Sequence, residues 1–142
     1  MGDKTVINLE IVVPNQTRYL GLIGNIGEEV ARFLDGNADN RGDLAYHLNL
    51  VLTEAMVNAI HYGSTENRQD TVRVHLRIED DVLCLKVYDQ GQGFDLNDLP
   101  PPELDSLRES GRGIFLIRSL MDDVTYQRTS EGNVLAMYKK LD

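Results

Sequence analysis

Thr71-Val72-Arg73-Val74-His75-Leu76-Arg77-Ile78-Glu79-Asp80-Asp81-Val82-Leu83-Cys84-Leu85-Lys86-Val87-Tyr88-Asp89 is the stretch that decides the fold. Val72, Val74, Leu76 and Ile78 alternate with Arg73, His75, Arg77 and Glu79, so an extended chain puts the apolar set on one face and the polar set on the other. Asp80-Asp81 is a turn, and Val82–Asp89 is the returning strand of a hairpin. Clean alternation describes a sheet with one wet face and one covered face, as in an antiparallel sheet under a layer of helices.

The flanking sequence supplies that layer. Residues 5–13 are rich in β-formers and stop at Pro14-Asn15, which reads as a strand and a turn. From Thr17 to Leu34 the apolar residues Tyr19, Ile23, Ile26, Val30 and Phe33 recur at steps of three and four, predicting a helix with one buried stripe. Gly21, Gly24 and Gly27 weaken that helix and allow close packing against it. Asn37–Gly42 reads as a loop, with Asp43 as N-cap of a second helix reaching about His61. Residues 90–110 read as one long irregular segment, followed by a helix from about Arg112 to Met121. Val124–Arg128 and Asn133–Lys140 form a second hairpin around Ser130-Glu131-Gly132. The order is β-α-α-β-β-α-β-β, with no internal repeat, linker or second domain. Residues 1–142 are therefore expected to form one α/β (α+β) two-layer sandwich, its mixed, largely antiparallel sheet covered on one face by helices.

Composition narrows the function. A chain of 142 residues is enough for one domain, and can bury roughly 70% of its unfolded surface without a disulfide or metal. Fourteen Lys+Arg against 23 Asp+Glu give a net charge of −9, which opposes DNA, RNA or an anionic membrane as the main partner. A small phosphate ligand stays open, because backbone amides and one Mg²⁺ can outweigh net charge locally. Met1 to Val13 lacks the basic and apolar regions of a secretory signal, no run approaches a bilayer span, and Val6 replaces the Ser or Thr that myristoylation at Gly2 would want. A cytoplasmic protein is expected. Cys84, the single cysteine, lies in an apolar strand and reads as a small hydrophobe. His47, His61 and His75 lack metal-ligand spacing, so no zinc site is expected.

Three clusters carry the chemistry. Glu54 and Asn58 are four residues apart and share one helix face, which His61 continues. A carboxylate there can accept a proton, and a carboxamide oxygen can ligate Mg²⁺, although two exposed polar residues on a helix would look the same. Asp89-Gln90-Gly91-Gln92-Gly93 follows a strand directly; Gly91 and Gly93 let a flat ligand approach the backbone, and Asp89 can accept a hydrogen bond from an exocyclic amine. Gly111-Arg112-Gly113 opens the third helix, whose free N–H groups favour an anion, with Arg112 and the upstream Arg108 available for charge-assisted phosphate contacts. Leu96–Ser110, carrying Pro100-Pro101-Pro102, reads as a lid between the second and third clusters or as plain disorder. The P-loop, the protein-kinase motif set and Gly-x-Ser-x-Gly are all missing.

In this order the clusters resemble the asparagine box and the two glycine boxes of the GHKL (Bergerat-fold) ATPases, the histidine-kinase-like ATPase domains. Leu52-Thr53-Glu54-Ala55-Met56-Val57-Asn58-Ala59 and Gly111-Arg112-Gly113-Ile114-Phe115-Leu116-Ile117, followed by Leu120-Met121-Asp122-Asp123-Val124, resemble more narrowly the bacterial anti-sigma factor serine-protein kinases. The resemblance implies ATP with Mg²⁺, Asn58 holding the metal, Asp89 the adenine amine, and Gly91 and Gly93 lining the base pocket. It implies that Gly111, Gly113 and their neighbours cradle the phosphates, with His61, Arg108 and Arg112 also at the ATP. Glu54 would be the general base toward a serine or threonine of a STAS-domain anti-anti-sigma protein. A sigma factor or other regulator would be the competing partner, and the kinase a homodimer. Glu109 stands where some members have Arg, leaving the γ-phosphate contact to Arg108 or Arg112, and Gly132-Asn133 stands where some have Gly-Thr. The alternatives are a non-catalytic ATP-gated binding module and a detached ATPase domain of a histidine kinase.

Overall fold

Two consecutive aspartates turn the central hairpin. In the computed structural model, which describes residues 6–34, 38–63, 70–90 and 109–141 (backbone only at 38–42, 62–63 and 109–112), Asp80 and Asp81 have φ of 54° and 62°. Positive φ at both turn positions matches the twist of the flanking strands, and Asp tolerates it better than most residues. The turn joins β2 (Thr71–Glu79) to β3 (Val82–Asp89) and sets their register from Glu79↔Val82 to Arg73↔Tyr88. Val72, Val74, Leu76, Ile78, Leu83, Leu85 and Val87 are buried, while Arg73, His75, Lys86 and Tyr88 lie on the other face. The alternation is realised as read.

β1 (Ile7–Pro14) pairs with β2, and β5 (Gly132–Lys140) lies between β3 and β4 (Asp123–Thr129), giving the order β1-β2-β3-β5-β4. All four pairings are antiparallel, so the sheet is the antiparallel limit of the mixed one expected. Pro14 ends the edge strand, where a missing N–H does no harm, and the Asn15 N–H donates to the Asp70 carbonyl at 3.0 Å. On the open face the Arg73 guanidinium lies 4.0 Å from the Tyr88 ring and pairs with Glu10 and Glu131.

Among the described residues, three helices cover the opposite face. A short 3₁₀ turn (Thr17–Tyr19) leads into α1 (Leu20–Phe33), which packs on α2 (Ala38–Gly63); α2 also packs on α3 (Glu109–Leu120). Ile23, Val30 and Ala31 of α1, Leu48, Val51, Leu52, Ala55 and Met56 of α2, and Ile114 and Ile117 of α3 join the sheet residues in one core. The glycine expectation divides. A Cβ on Gly27 would lie 2.5 Å from Leu52 Cδ1, and one on Gly24 would lie 2.7 Å from Thr53 Oγ1, whereas one on Gly21 would meet nothing.

Two helix starts differ from the sequence reading. α2 begins at Ala38, so the loop expected at Asn37–Gly42 is largely helix, and Asp43 lies inside α2 rather than capping it. The opening turn carries no apolar stripe before Leu44, so periodicity passes over it. α3 begins at Glu109, so Gly111 and Arg112 lie within its first turn. Its far end is fastened to β5: Lys139 Nζ donates to the Leu120 carbonyl at 2.9 Å, placing a cation at the negative end of the helix.

Candidate functional site

Burying a polar group is unfavourable unless it is bonded, so buried polar residues mark places where something other than packing has set the sequence. Among the described residues these are Asn58, Asp70, Asp89 and Asn133, each less than 9% exposed. Asp70 precedes β2, Asp89 ends β3 and Asn133 follows the first residue of β5. Because the strands are antiparallel and adjacent, these three lie at one end of the three central strands. Asn58 lies apart from them on α2, and the rest of the core among the described residues is apolar.

Asp89 is clamped. Asn133, its cross-strand partner, donates from Nδ2 to Asp89 Oδ1 at 2.8 Å, and Arg128 Nε donates to Asn133 Oδ1 at 3.3 Å. Gly132 has φ of 114°, and a Cβ there would stand 2.4 Å from the Asp89 carbonyl oxygen, so conformation and space both demand glycine. The sequence reading picked out Asp89 and passed over Gly132-Asn133 as turn and strand. The signal was there as a departure from the family's glycine-threonine pair, but its pairing with Asp89 depends on the β3–β5 register.

The first and third clusters meet across two helices. Glu54 on α2 directs its carboxylate at Gly113 of α3, where a Cβ would lie 2.7 Å from Glu54 Oε2. Only glycine leaves that carboxylate its place beside the early turns of α3. Asn58, one turn further along α2, is 3% exposed, and its Oδ1 has no hydrogen-bond partner among the described residues. A buried amide oxygen without a donor fits a hard cation, and Mg²⁺, which takes few protein ligands and keeps several waters, suits such a site. The structure thus offers the metal a matching atom at Asn58. His61 lies exposed in the last turn of α2. Gly91, Gly93, Arg108 and most of the 96–110 segment expected as a lid or as disorder fall outside the described residues, as does the side chain of Arg112.

A trough of about 600 Å³ lies on the opposite, open face of the sheet, between Lys86, Tyr88, Gln127, Val134 and Tyr138. It contains none of the residues singled out for chemistry. Cys84 stands on that face, half-buried and paired across strands with Tyr138, in keeping with its reading as a strand residue.

Strand order, helix layer and polar end together define a two-layer ATPase-type domain with Glu54 and Asn58 on the helix above and Asp89 at a strand end below. Residues 17–139 match the family described as the histidine kinase-like ATPase domain, and the chain belongs to it. Within that family it stands with the serine-protein kinases RsbW. It is 32% identical over 142 residues to RsbW of Bacillus subtilis (strain 168), covering 94% of this chain and 86% of the relative. It is 30% identical over 128 residues to RsbW of Oceanobacillus iheyensis, covering 82% and 76%. The histidine kinase domain of the Erythrobacter litoralis EL346 blue-light activated histidine kinase shares the fold, with a TM-score of 0.55 and 18% identity over 91% of this chain and 62% of that one. The resemblance drawn from the three clusters is borne out at the level of family and fold. No helix among the described residues is long and apolar enough to cross a membrane.

Proposed function

We propose that this protein is an ATP-dependent serine/threonine-protein kinase of the cytoplasm. It phosphorylates a STAS-domain anti-anti-sigma protein and, as a homodimer, sequesters a sigma factor or another regulator in a partner-switching module. The observation that supports this reading best is Glu54, whose carboxylate lies against the glycine of an anion-binding helix start. A base is useful only where the γ-phosphoryl acceptor arrives, and the early turns of α3 are where phosphate would be held.

On this reading Asp89, clamped by Asn133, accepts the adenine amine, with Gly91 and Gly93 beside the base. The N–H groups of α3 around Gly111 and Gly113 face the phosphates, and Arg108 or Arg112 adds charge. His61, in the last turn of α2, adds a contact to the ATP. Asn58 would hold Mg²⁺, which when bound neutralises phosphate charge. Glu54 takes the proton of the substrate hydroxyl, which the helix layer positions beside it. The rate gain then comes from orientation and from charges already in place, as phosphoryl transfer requires.

The direct test is transfer of labelled γ-phosphate from ATP to a cognate STAS-domain protein, with Glu54→Ala beside wild type. Transfer by wild type and its loss in the variant, with ATP binding kept, is expected. Tight ATP binding by wild type with no transfer would overturn the kinase reading in favour of an ATP-gated binding module.

A further inference from the structure

We propose that the outer surface of α2 and α3 beside Glu54 is the docking surface for the protein that brings the acceptor hydroxyl, with Tyr46 and Phe115 as its aromatic anchors; this rests on the reading of Glu54 as the base of a protein-serine/threonine kinase. The period of α2 sets the surface. Leu48, Val51, Leu52, Ala55 and Met56 face the core, which turns Tyr46, Leu50 and Val57 outward along the opposite side. Glu54 stands at the edge of that strip nearest α3, where its carboxylate lies against Gly113. On α3, Gly113, Ile114 and Ile117 are buried, so Phe115 faces outward. Tyr46 is 66% exposed and Phe115 54%.

A hydroxyl that gives its proton to Glu54 belongs to a folded protein, whose surface arrives with it. Even a transient protein–protein contact covers about 600 Å² a side, a disc of roughly 14 Å radius. At a rise of about 1.5 Å per residue, Leu50 lies about 6 Å along the helix from Glu54 and Tyr46 about 12 Å. Phe115 is two residues beyond Gly113, about 3 Å further along α3. A disc of that size centred on Glu54 takes in all three.

Composition points the same way. In a chain that is 26% charged, Glu54 is the only Asp, Glu, Lys or Arg between Tyr46 and Ile60, and Gly113–Ile117 contains none. A helix face turned to solvent ordinarily carries charge. A face that sheds Lys, Glu and Asp and keeps exposed Tyr and Phe has the composition of the centre of a protein–protein interface. Aromatic side chains bury a large area on contact and lose little rotamer freedom in doing so. The open face of the sheet differs: there Arg73 and Arg77 are paired with carboxylates of the same chain. The partner that fits is a folded protein whose acceptor serine or threonine is ringed by apolar side chains rather than by charges.

The test is steady-state transfer of labelled γ-phosphate from ATP to the cognate STAS-domain protein, with the full chain as wild type, Tyr46→Ser, Phe115→Ser, the double variant and Phe33→Ser. Phe33, the last residue of α1 and 78% exposed, controls for the loss of any exposed aromatic. Tyr46→Ser and Phe115→Ser should each raise the KM for the acceptor protein about tenfold, and the double variant more. Their kcat should stay within about twofold of wild type, with ATP affinity unchanged, because docking rather than chemistry is lost. Phe33→Ser should match wild type throughout. Transfer by wild type with KM unmoved in both single variants, a fall in kcat at constant KM, or an equal rise in KM for Phe33→Ser would overturn this assignment and leave the kinase reading standing. ATP binding by wild type without transfer would overturn the kinase reading and this assignment with it. Tyr46→Lys and Phe115→Lys, which keep a good helix former and set a charge in the contact, decide if serine destabilises either helix.

Discussion

Asn58 carries an amide oxygen into an apolar layer where no donor among the described residues meets it, and that is unfavourable for folding by about 1–3 kcal/mol. Replacing it with a similar-sized hydrophobe should therefore help the fold and harm the site. Asn58→Leu is expected to raise stability by about 1 kcal/mol in chemical denaturation while Mg²⁺-dependent ATP affinity falls at least about tenfold. Stability lost together with binding would mean that Asn58 is a packing residue. Gly113 has the same two-sided character. Ala is the better helix former by up to about 1 kcal/mol, and the added methyl meets only the movable end of Glu54. Gly113→Ala should keep or raise the melting temperature while cutting phosphoryl transfer about tenfold or more, because Glu54, the proposed base, is pushed aside. At this scale Glu54 and Asn58 were legible from a spacing of four on a helix, and Asp89 from its place at a strand end. Asn133 was not, since its role is defined by a partner 44 residues away in sequence, which no local pattern encodes.

The elements differ in how plainly they announce themselves. The β2–β3 hairpin combines strict alternation with two turn residues suited to positive φ, and its limits came out as read. The start of α2 did not, because a turn lacking an apolar stripe carries no periodic signal. The glycines of α1 show the same limit: sequence shows three breaks in a helix, and only packing tells them apart. Gly27 admits Leu52 into the groove between α1 and α2, so Gly27→Ala should destabilise the protein by about 1–3 kcal/mol through overpacking. Gly21 faces open space, so Gly21→Ala should stabilise it by up to about 1 kcal/mol. Thermal denaturation of the two variants should move in opposite directions. Movement in the same direction would show that the two helices do not close as described.

For the whole molecule the net charge of −9 is the property that reaches furthest from the surface. It bears on association rather than on fold. On the proposed reading the site does not need a basic surround, since helix N–H groups, a metal and one arginine would suffice to hold phosphate. On the open face, Arg73 is engaged by Glu10 and Glu131 and Arg77 by Glu79, so those cations are already compensated within the chain. The uncompensated charge is acidic, and it would steer a basic protein partner such as the proposed sigma factor. The on-rate for that partner should then fall about tenfold or more as ionic strength rises from about 0.05 to 0.5 M, because the Debye length shrinks below the separation at which encounter begins. The off-rate should change much less, since contacts once formed exclude the screening ions. Stopped-flow association at several salt concentrations would separate the two, and an on-rate independent of salt would remove electrostatic steering from the account of how this protein finds its partner.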